Sequence, residues 1–130
     1  MAFMRLLEVE LCKVPGVRLL RTFSGRVRVQ REDGSEGWIE GMPAGTSDLL
    51  GIVGPEGWVL AVEVKAQRGR VSAQQARFLS VVQALGGIAC VARQEYLDQA
   101  KSVALARTML EALIANRRRL KLAMPSARQR

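Results

Sequence analysis

The sequence predicts an α/β fold with a mixed central sheet flanked by helices. Three observations support this: short apolar runs typical of strands, a helical pattern between the last two runs, and a helical pattern near each end of the chain. The runs span 48–53, 58–66 and 88–92. The second run is apolar except for Glu63 and Lys65, which is typical of a buried strand. The helical pattern that links it to the third run indicates a parallel crossover.

The other elements are predicted from local signals in chain order. Pro15-Gly16 ends the first helix, Glu32-Asp33-Gly34 is a hairpin signal, Ser72 is a candidate N-cap and Gly86-Gly87 ends the second helix. Further strands are predicted at 17–23, 26–31 and 38–39, and helices at 3–13, 72–85 and 94–117.

Length and composition predict one domain with a real core. The chain has 130 residues, of which 48% are hydrophobic. We expect the domain to span 1–116 and a basic tail, fraying at Pro125, to span 117–130. No apolar run approaches the roughly 20 residues of a membrane span, and the first residues lack a signal-peptide layout. We therefore expect a cytoplasmic protein that does not bind a membrane.

The chain has no histidine, which limits its chemistry. It excludes histidine general bases and imidazole metal ligands. Cys12 and Cys90 lie in apolar contexts and are expected to pack as thiols, since two cysteines cannot form a zinc site. Any bound metal is then held by oxygen, which suits Mg²⁺ or Mn²⁺. No small-molecule cofactor is expected.

The net charge of +8 favours a polyanionic partner such as a nucleic-acid backbone, although a generally basic, soluble surface is an alternative. Three charged residues are placed for phosphodiester chemistry. Glu63 and Lys65 share one strand face, and hairpin pairing can bring Asp48 near Glu63. Two carboxylates at such a short distance repel each other unless a cation lies between them. A lysine beside them can stabilise negative charge on a phosphate. The alternative is an ordinary ion pair on an edge strand.

These residues resemble the virus-type replication-repair nuclease (VRR-NUC) domain, a branch of the PD-(D/E)xK superfamily. The resemblance covers roughly 16–93 and includes Gly45-Thr46-Ser47-Asp48-Leu49, Glu63-Val64-Lys65 and Ser72-Ala73-Gln74-Gln75. It implies a restriction-endonuclease-like αβββαβ core and phosphodiester cleavage that depends on Mg²⁺ or Mn²⁺. Standalone phage and bacterial members of the family form homodimers and resolve four-way DNA junctions.

The resemblance also implies roles for individual residues. Asp48 and Glu63 become metal ligands and Lys65 the catalytic lysine, although Ser47 replaces the usual proline before the aspartate. The Val64 carbonyl completes the metal shell. The family's helix glutamine is Gln75, with Gln74 as the alternative, and its first-helix glutamate is Glu8, with Glu10 as the alternative; Arg21 is the basic residue that faces DNA.

We therefore expect a structure-selective DNA endonuclease that resolves four-way junctions as a homodimer. The alternatives are a non-catalytic nucleic-acid-binding module of the same fold and a nuclease that acts on linear or flap DNA. Arg26 and Arg28 share a strand face and could follow a phosphate backbone. Trp38 and Trp58 are too few for a base-stacking platform and are expected in core or interface packing.

Overall fold

The computed structural model describes residues 2–123. These residues form three helices and six strands. The helices are α1 (Ala2–Leu11), α2 (Ala73–Ala84) and α3 (Gln99–Ala123). The strands are β1 (Val17–Arg21), β2 (Arg26–Gln30), β3 (Glu36–Glu40), β4 (Leu49–Val53), β5 (Trp58–Lys65) and β6 (Ile88–Arg93).

The central sheet has the order β1-β4-β5-β6. β1, β4 and β5 are antiparallel neighbours, and β6 runs parallel to β5 after the α2 crossover. The predicted α/β class with a mixed central sheet is confirmed. The series α1, β1, β4, β5, α2, β6 has the expected αβββαβ order. Between β1 and β4 the chain inserts the β2–β3 hairpin, which forms a separate two-stranded sheet.

The hydrophobic core lies on one face of the sheet, under α1 and α3. α1 contributes Phe3, Leu7 and Leu11, and α3 contributes Leu110 and Ile114, all at most 3% exposed. Alternate residues of the strands meet them from the sheet: Val17, Leu19, Leu49, Val53, Leu60, Val62 and Val64. Cys90 is buried in this core and Cys12 packs against it, as predicted. Burial raises the pKa of the Cys90 thiol to about 12.

Helix α2 lies on the other face, over β5 and β6, and leaves β1 and β4 uncovered there. The predicted apolar side of this helix is present but is not buried. None of its residues is buried, and Leu85, just beyond its end, is 83% exposed. The reason is that, among the described elements, the helix packs appreciably only against β5 and β6, so its flanks stay open.

The last helix is displaced relative to its prediction: it begins at Gln99 rather than 94 and continues to Ala123. The predicted boundary between 116 and 117 therefore falls inside α3. Arg117 donates hydrogen bonds to the carbonyls of Gly86 and Gly87, and Arg118 binds Glu56. These contacts attach the start of the expected tail to the domain, whereas Pro125 lies outside the described residues. No helix within residues 2–123 has the length and apolar character that crossing a bilayer requires.

Candidate active site

Asp48 is held at the point where the chain enters β4. Leu49 pairs with Val62 of β5, so Asp48 lies beside the end of β5 that carries Glu63. Its Oδ2 accepts a hydrogen bond of 2.9 Å from the backbone N–H of Val64. This bond continues the contact between the two strands beyond their ladder and fixes the carboxylate next to Glu63.

Glu63 is the most deeply buried charged residue of the site, at 1% exposure. Its Oε1 accepts a hydrogen bond of 2.9 Å from Gln75 Nε2 and lies 3.5 Å from Lys65 Nζ. Its Oε2 is buried and has no hydrogen-bond partner. A buried carboxylate oxygen without a partner is costly, and such atoms are rare in native proteins. This oxygen is therefore suited to an electropositive ligand.

The electrostatics of Glu63 agree with this geometry. Burial and the nearby Asp48 carboxylate raise the pKa of Glu63 to about 7, and Lys65 opposes this rise. Two carboxylates in contact within a buried site favour protonation of one of them until a cation offsets their charge. The site can therefore hold either a proton or a cation.

Gln75 connects the start of α2 to the buried carboxylate. Ser72 Oγ accepts from the Gln75 N–H at 3.1 Å, and Gln75 Oε1 accepts from the Ser72 N–H at 2.8 Å, which is a capping box. The remaining amide group of Gln75 donates to Glu63. Of the two glutamines that the sequence left open, the structure places Gln75, and not Gln74, against Glu63.

The loop before Asp48 packs against the start of α2. Gly45 has a φ of +93°, and a Cβ at this position would lie 2.8 Å from the backbone of Gln74. Ser47 is fully buried, and its carbonyl accepts a hydrogen bond from Thr22 Oγ1. Thr22 was not singled out from the sequence, because a hydroxyl that binds a distant carbonyl leaves no local pattern.

Arg93 is a second residue that the sequence did not reveal. It pairs with Lys65 across β5 and β6, and its guanidinium donates to the carbonyls of Ala66 and Gly69. These bonds shape the loop that immediately follows Lys65. Because its acceptors are backbone atoms of a loop, no residue pattern could have indicated this role.

The two first-helix glutamates are not gathered with the other carboxylates. Glu8 pairs with Arg21 at 2.9 Å, and Glu10 pairs with Arg107 at 2.8 Å and with Lys13 at 3.0 Å. Within residues 2–123, no group of three or more His, Cys, Asp and Glu residues has a geometry that could hold a metal ion. A metal site at Asp48 and Glu63 therefore has two carboxylates, with the Val64 carbonyl as the other predicted ligand.

The predicted DNA-binding arginines are already engaged within the chain. Arg21 is occupied by Glu8, and Arg28 pairs with Glu36. Arg26 and Arg28 also lie over the ring of Trp38, at 5.2 and 5.8 Å from its centroid. Trp38 is 54% exposed and so is not a core residue. A contact between these arginines and DNA stays a prediction.

The comparison with known families agrees with the geometry. The sequence profile of the VRR-NUC domain matches residues 29–95, which is just over half of the chain. The match contains Asp48, Glu63, Lys65 and Gln75, whereas α1 and β1 lie before it. No curated protein matches the chain. The resemblance predicted from the sequence is confirmed, and the chain belongs to the VRR-NUC family of nuclease domains.

Proposed function

We propose that this protein is a metal-dependent, structure-selective DNA endonuclease that resolves four-way junctions as a homodimer. The observation that carries the proposal is the unpartnered, buried Oε2 of Glu63, which lies in a site that also contains Asp48 and Lys65. An ordinary ion pair on an edge strand does not account for it, because Glu63 is buried and keeps one oxygen without a partner after binding Lys65 and Gln75.

Mg²⁺ or Mn²⁺ fits these donors. Asp48, Glu63 and the Val64 carbonyl offer hard oxygen ligands, and the net negative charge of the two carboxylates suits a divalent cation. When bound, the cation would polarise a phosphoryl oxygen and offset developing negative charge.

The protein's own groups supply the remaining requirements. Lys65 has a side chain only 15% exposed, so its ammonium acts where water screens it little. It can stabilise charge on the phosphate and orient an attacking water molecule. Gln75 donates to Glu63 Oε1, the same oxygen that Lys65 approaches, which leaves Oε2 for the cation.

The substrate is proposed from charge and symmetry. A net charge of +8 favours DNA, and contacts of basic side chains with phosphates carry no base information. Resolving a branched duplex requires two symmetric cuts, and a two-fold dimer supplies two active sites.

The test is cleavage of four-way junction, flap, splayed and linear DNA, each with Mg²⁺ and with EDTA. We expect the wild-type protein to cut the junction preferentially and only with the metal. Lys65→Ala should fold and bind DNA but cut at least 100 to 1,000 times more slowly, roughly 3–4 kcal/mol of transition-state stabilisation.

Asp48→Asn and Glu63→Gln should abolish cleavage and weaken Mn²⁺ binding in calorimetry, since each removes a charged ligand. Lys13→Ala is the matched control, because this exposed lysine pairs with Glu10 outside the site. A Lys65→Ala protein that cuts at the wild-type rate would place the active site elsewhere. DNA binding without any cleavage would favour a non-catalytic module.

A further inference from the structure

The β2–β3 hairpin has no support within the described part of the chain. All ten of its strand residues are exposed or half-buried, and neither strand packs appreciably against another helix or strand. An isolated two-stranded hairpin is at best marginally stable in water, and it needs a third strand or a surface to pack on. No described helix or strand outside the hairpin provides this surface, and a second molecule can supply it.

The hairpin has one apolar face. Its register places Val27 opposite Ile39 on this face, with Val29 beside them. Val27 is 43% exposed and Ile39 is 50% exposed. The other face carries Arg26, Arg28, Gln30, Glu36, Trp38 and Glu40. We call residues 26–40 the arm.

Charge argues against DNA as the partner of the arm. The arm contains three arginines but four carboxylates, and one of the arginines, Arg28, is paired with Glu36. The rest of the chain carries the other seventeen Lys and Arg residues and eight Asp and Glu residues. An arm of slightly negative net charge gains little overall attraction from phosphates, whereas it is complementary to a basic protein surface, which the remainder of this chain provides.

The same chain also has an uncovered apolar surface. On the sheet face that α2 covers only in part, Leu20 is 73% exposed, Ile52 is 53% exposed and Val59 is 49% exposed. Ile52 and Val59 are direct partners across β4 and β5. Leu85, at the end of α2, is exposed as well, and it lines a groove together with Val59. We call these four residues the sheet patch.

We propose that the arm of each copy of this chain docks with its apolar face on the sheet patch of a second copy. This inference rests on the homodimer of the proposed function and assigns the surfaces that form it. In a two-fold dimer both arms make the same contact, so both unpartnered surfaces of each copy are covered together.

The areas are of the size that such an interface needs. Burying an aliphatic side chain removes on the order of 100 Å² of apolar surface. Weighted by their exposed fractions, the apolar side chains of one arm and one patch therefore offer roughly 350–400 Å² per copy, which is about the apolar share of an interface at the lower end of the standard range. A standard interface buries about 800 Å² per partner, and about two thirds of this is apolar in homodimers.

Docking of the arm would also restrain the active site through the chain segment that joins them. The second strand of the arm leads through residues 41–47 into Asp48, and this loop contacts the start of α2 at Gly45. A partner that holds the arm therefore restrains the segment that positions a metal ligand.

The test is the mass of the full chain in solution, by sedimentation velocity over a range of concentrations. The wild-type protein should be a dimer. Ile39→Glu in the arm and Leu20→Glu in the patch should each raise the dissociation constant at least a hundredfold. Leu97→Glu should leave the dimer intact, because Leu97 is 92% exposed and lies outside both surfaces. A monomeric wild type, or dimeric Ile39→Glu and Leu20→Glu variants, would overturn the inference.

Cross-linking tests which surfaces meet. In a Cys12→Ser background, Ile39→Cys and Leu20→Cys proteins should form a disulfide only when the two are mixed. A link formed by Ile39→Cys alone would indicate arm-to-arm pairing and overturn the inference.

A shortened chain addresses the case in which the charged variants fail to fold. Gly25 and Gly41 already meet, with the Gly41 N–H 2.7 Å from the Gly25 carbonyl oxygen, so two glycines can replace residues 26–40. This chain should be a folded monomer that still binds Mn²⁺, and a dimer would overturn the inference. A wild-type dimer that does not bind Mn²⁺ would instead contradict the proposed function, but it would not contradict the proposed interface.

Discussion

At the scale of single residues, Glu63 predicts an unusual dependence of stability on pH. Its pKa is raised from 4.5 to about 7 by burial and by Asp48. Between these values the folded chain retains a proton that the unfolded chain releases. Without metal, Glu63 thus makes a stabilising contribution to the free energy of unfolding, on the order of 3 kcal/mol in total. This contribution is fully present below about pH 4.5 and is lost as pH rises through 7.

The measurement is urea unfolding in EDTA at several pH values, for the wild type and for Glu63→Gln. The glutamine does not titrate, so the stability of this variant relative to wild type should increase from pH 5 to pH 8. The stabilisation of the wild type by added Mn²⁺ should instead increase with pH, because the affinity of the site for Mn²⁺ increases as Glu63 loses its proton. A stability difference that stays constant with pH would contradict the raised pKa.

Gln75 offers a second prediction at this scale. Gln75→Ala removes the reciprocal capping bond to Ser72 and the donor to Glu63, so we expect about 1–2 kcal/mol of lost stability. Cleavage should also fall, since Glu63 loses the group that orients it. Gln74→Ala is the matched control, because Gln74 is the exposed neighbour on the same helix turn. Equal effects of the two substitutions on unfolding and cleavage would contradict the role of Gln75.

At the scale of elements, the contact between the 41–47 loop and α2 can be tested with a pair of glycines. Gly45 and Gly57 both have positive φ, but a Cβ at Gly45 meets the backbone of Gln74, whereas a Cβ at Gly57 meets nothing within 4 Å. Gly57→Ala should therefore cost only backbone strain, about 1 kcal/mol. Gly45→Ala should cost at least about 1 kcal/mol more and should slow cleavage. Thermal unfolding and cleavage rates measure the effects of both substitutions. Similar losses of stability and cleavage rate in the two variants would contradict a role for the contact between the loop and α2.

Predictability at this scale depended on whether the cause was local. β5 was predictable because its apolar run is interrupted only by Glu63 and Lys65, and the start of α2 was predictable from Ser72 and Gln75. The Ser72 and Gln75 pattern records a contact within one helix turn, and the apolar run of β5 records the burial of one continuous segment, so each can be read from consecutive residues. The pairing of Glu8 with Arg21 and the anchoring of α3 by Arg117 depend on the packing of distant segments. Such packing leaves no trace in residue spacing.

At the scale of the whole molecule, symmetry and charge predict how DNA binding responds to salt. Binding should weaken strongly as salt rises, because basic side chains displace the counterions of phosphates. Backbone contacts carry no base information, but a two-fold dimer fixes the distance and angle between its two basic surfaces. Only a branched substrate with arms in matching positions engages both surfaces, and it gains the avidity of two linked contacts. Preference for a four-way junction over linear duplex of equal length should therefore persist at every salt concentration.

A monomeric Ile39→Glu variant should lose this preference while it still binds Mn²⁺. Competition binding across a salt series measures both effects. Equal affinity of the wild-type dimer for the two DNAs would reject junction resolution and favour a nuclease of linear or flap DNA.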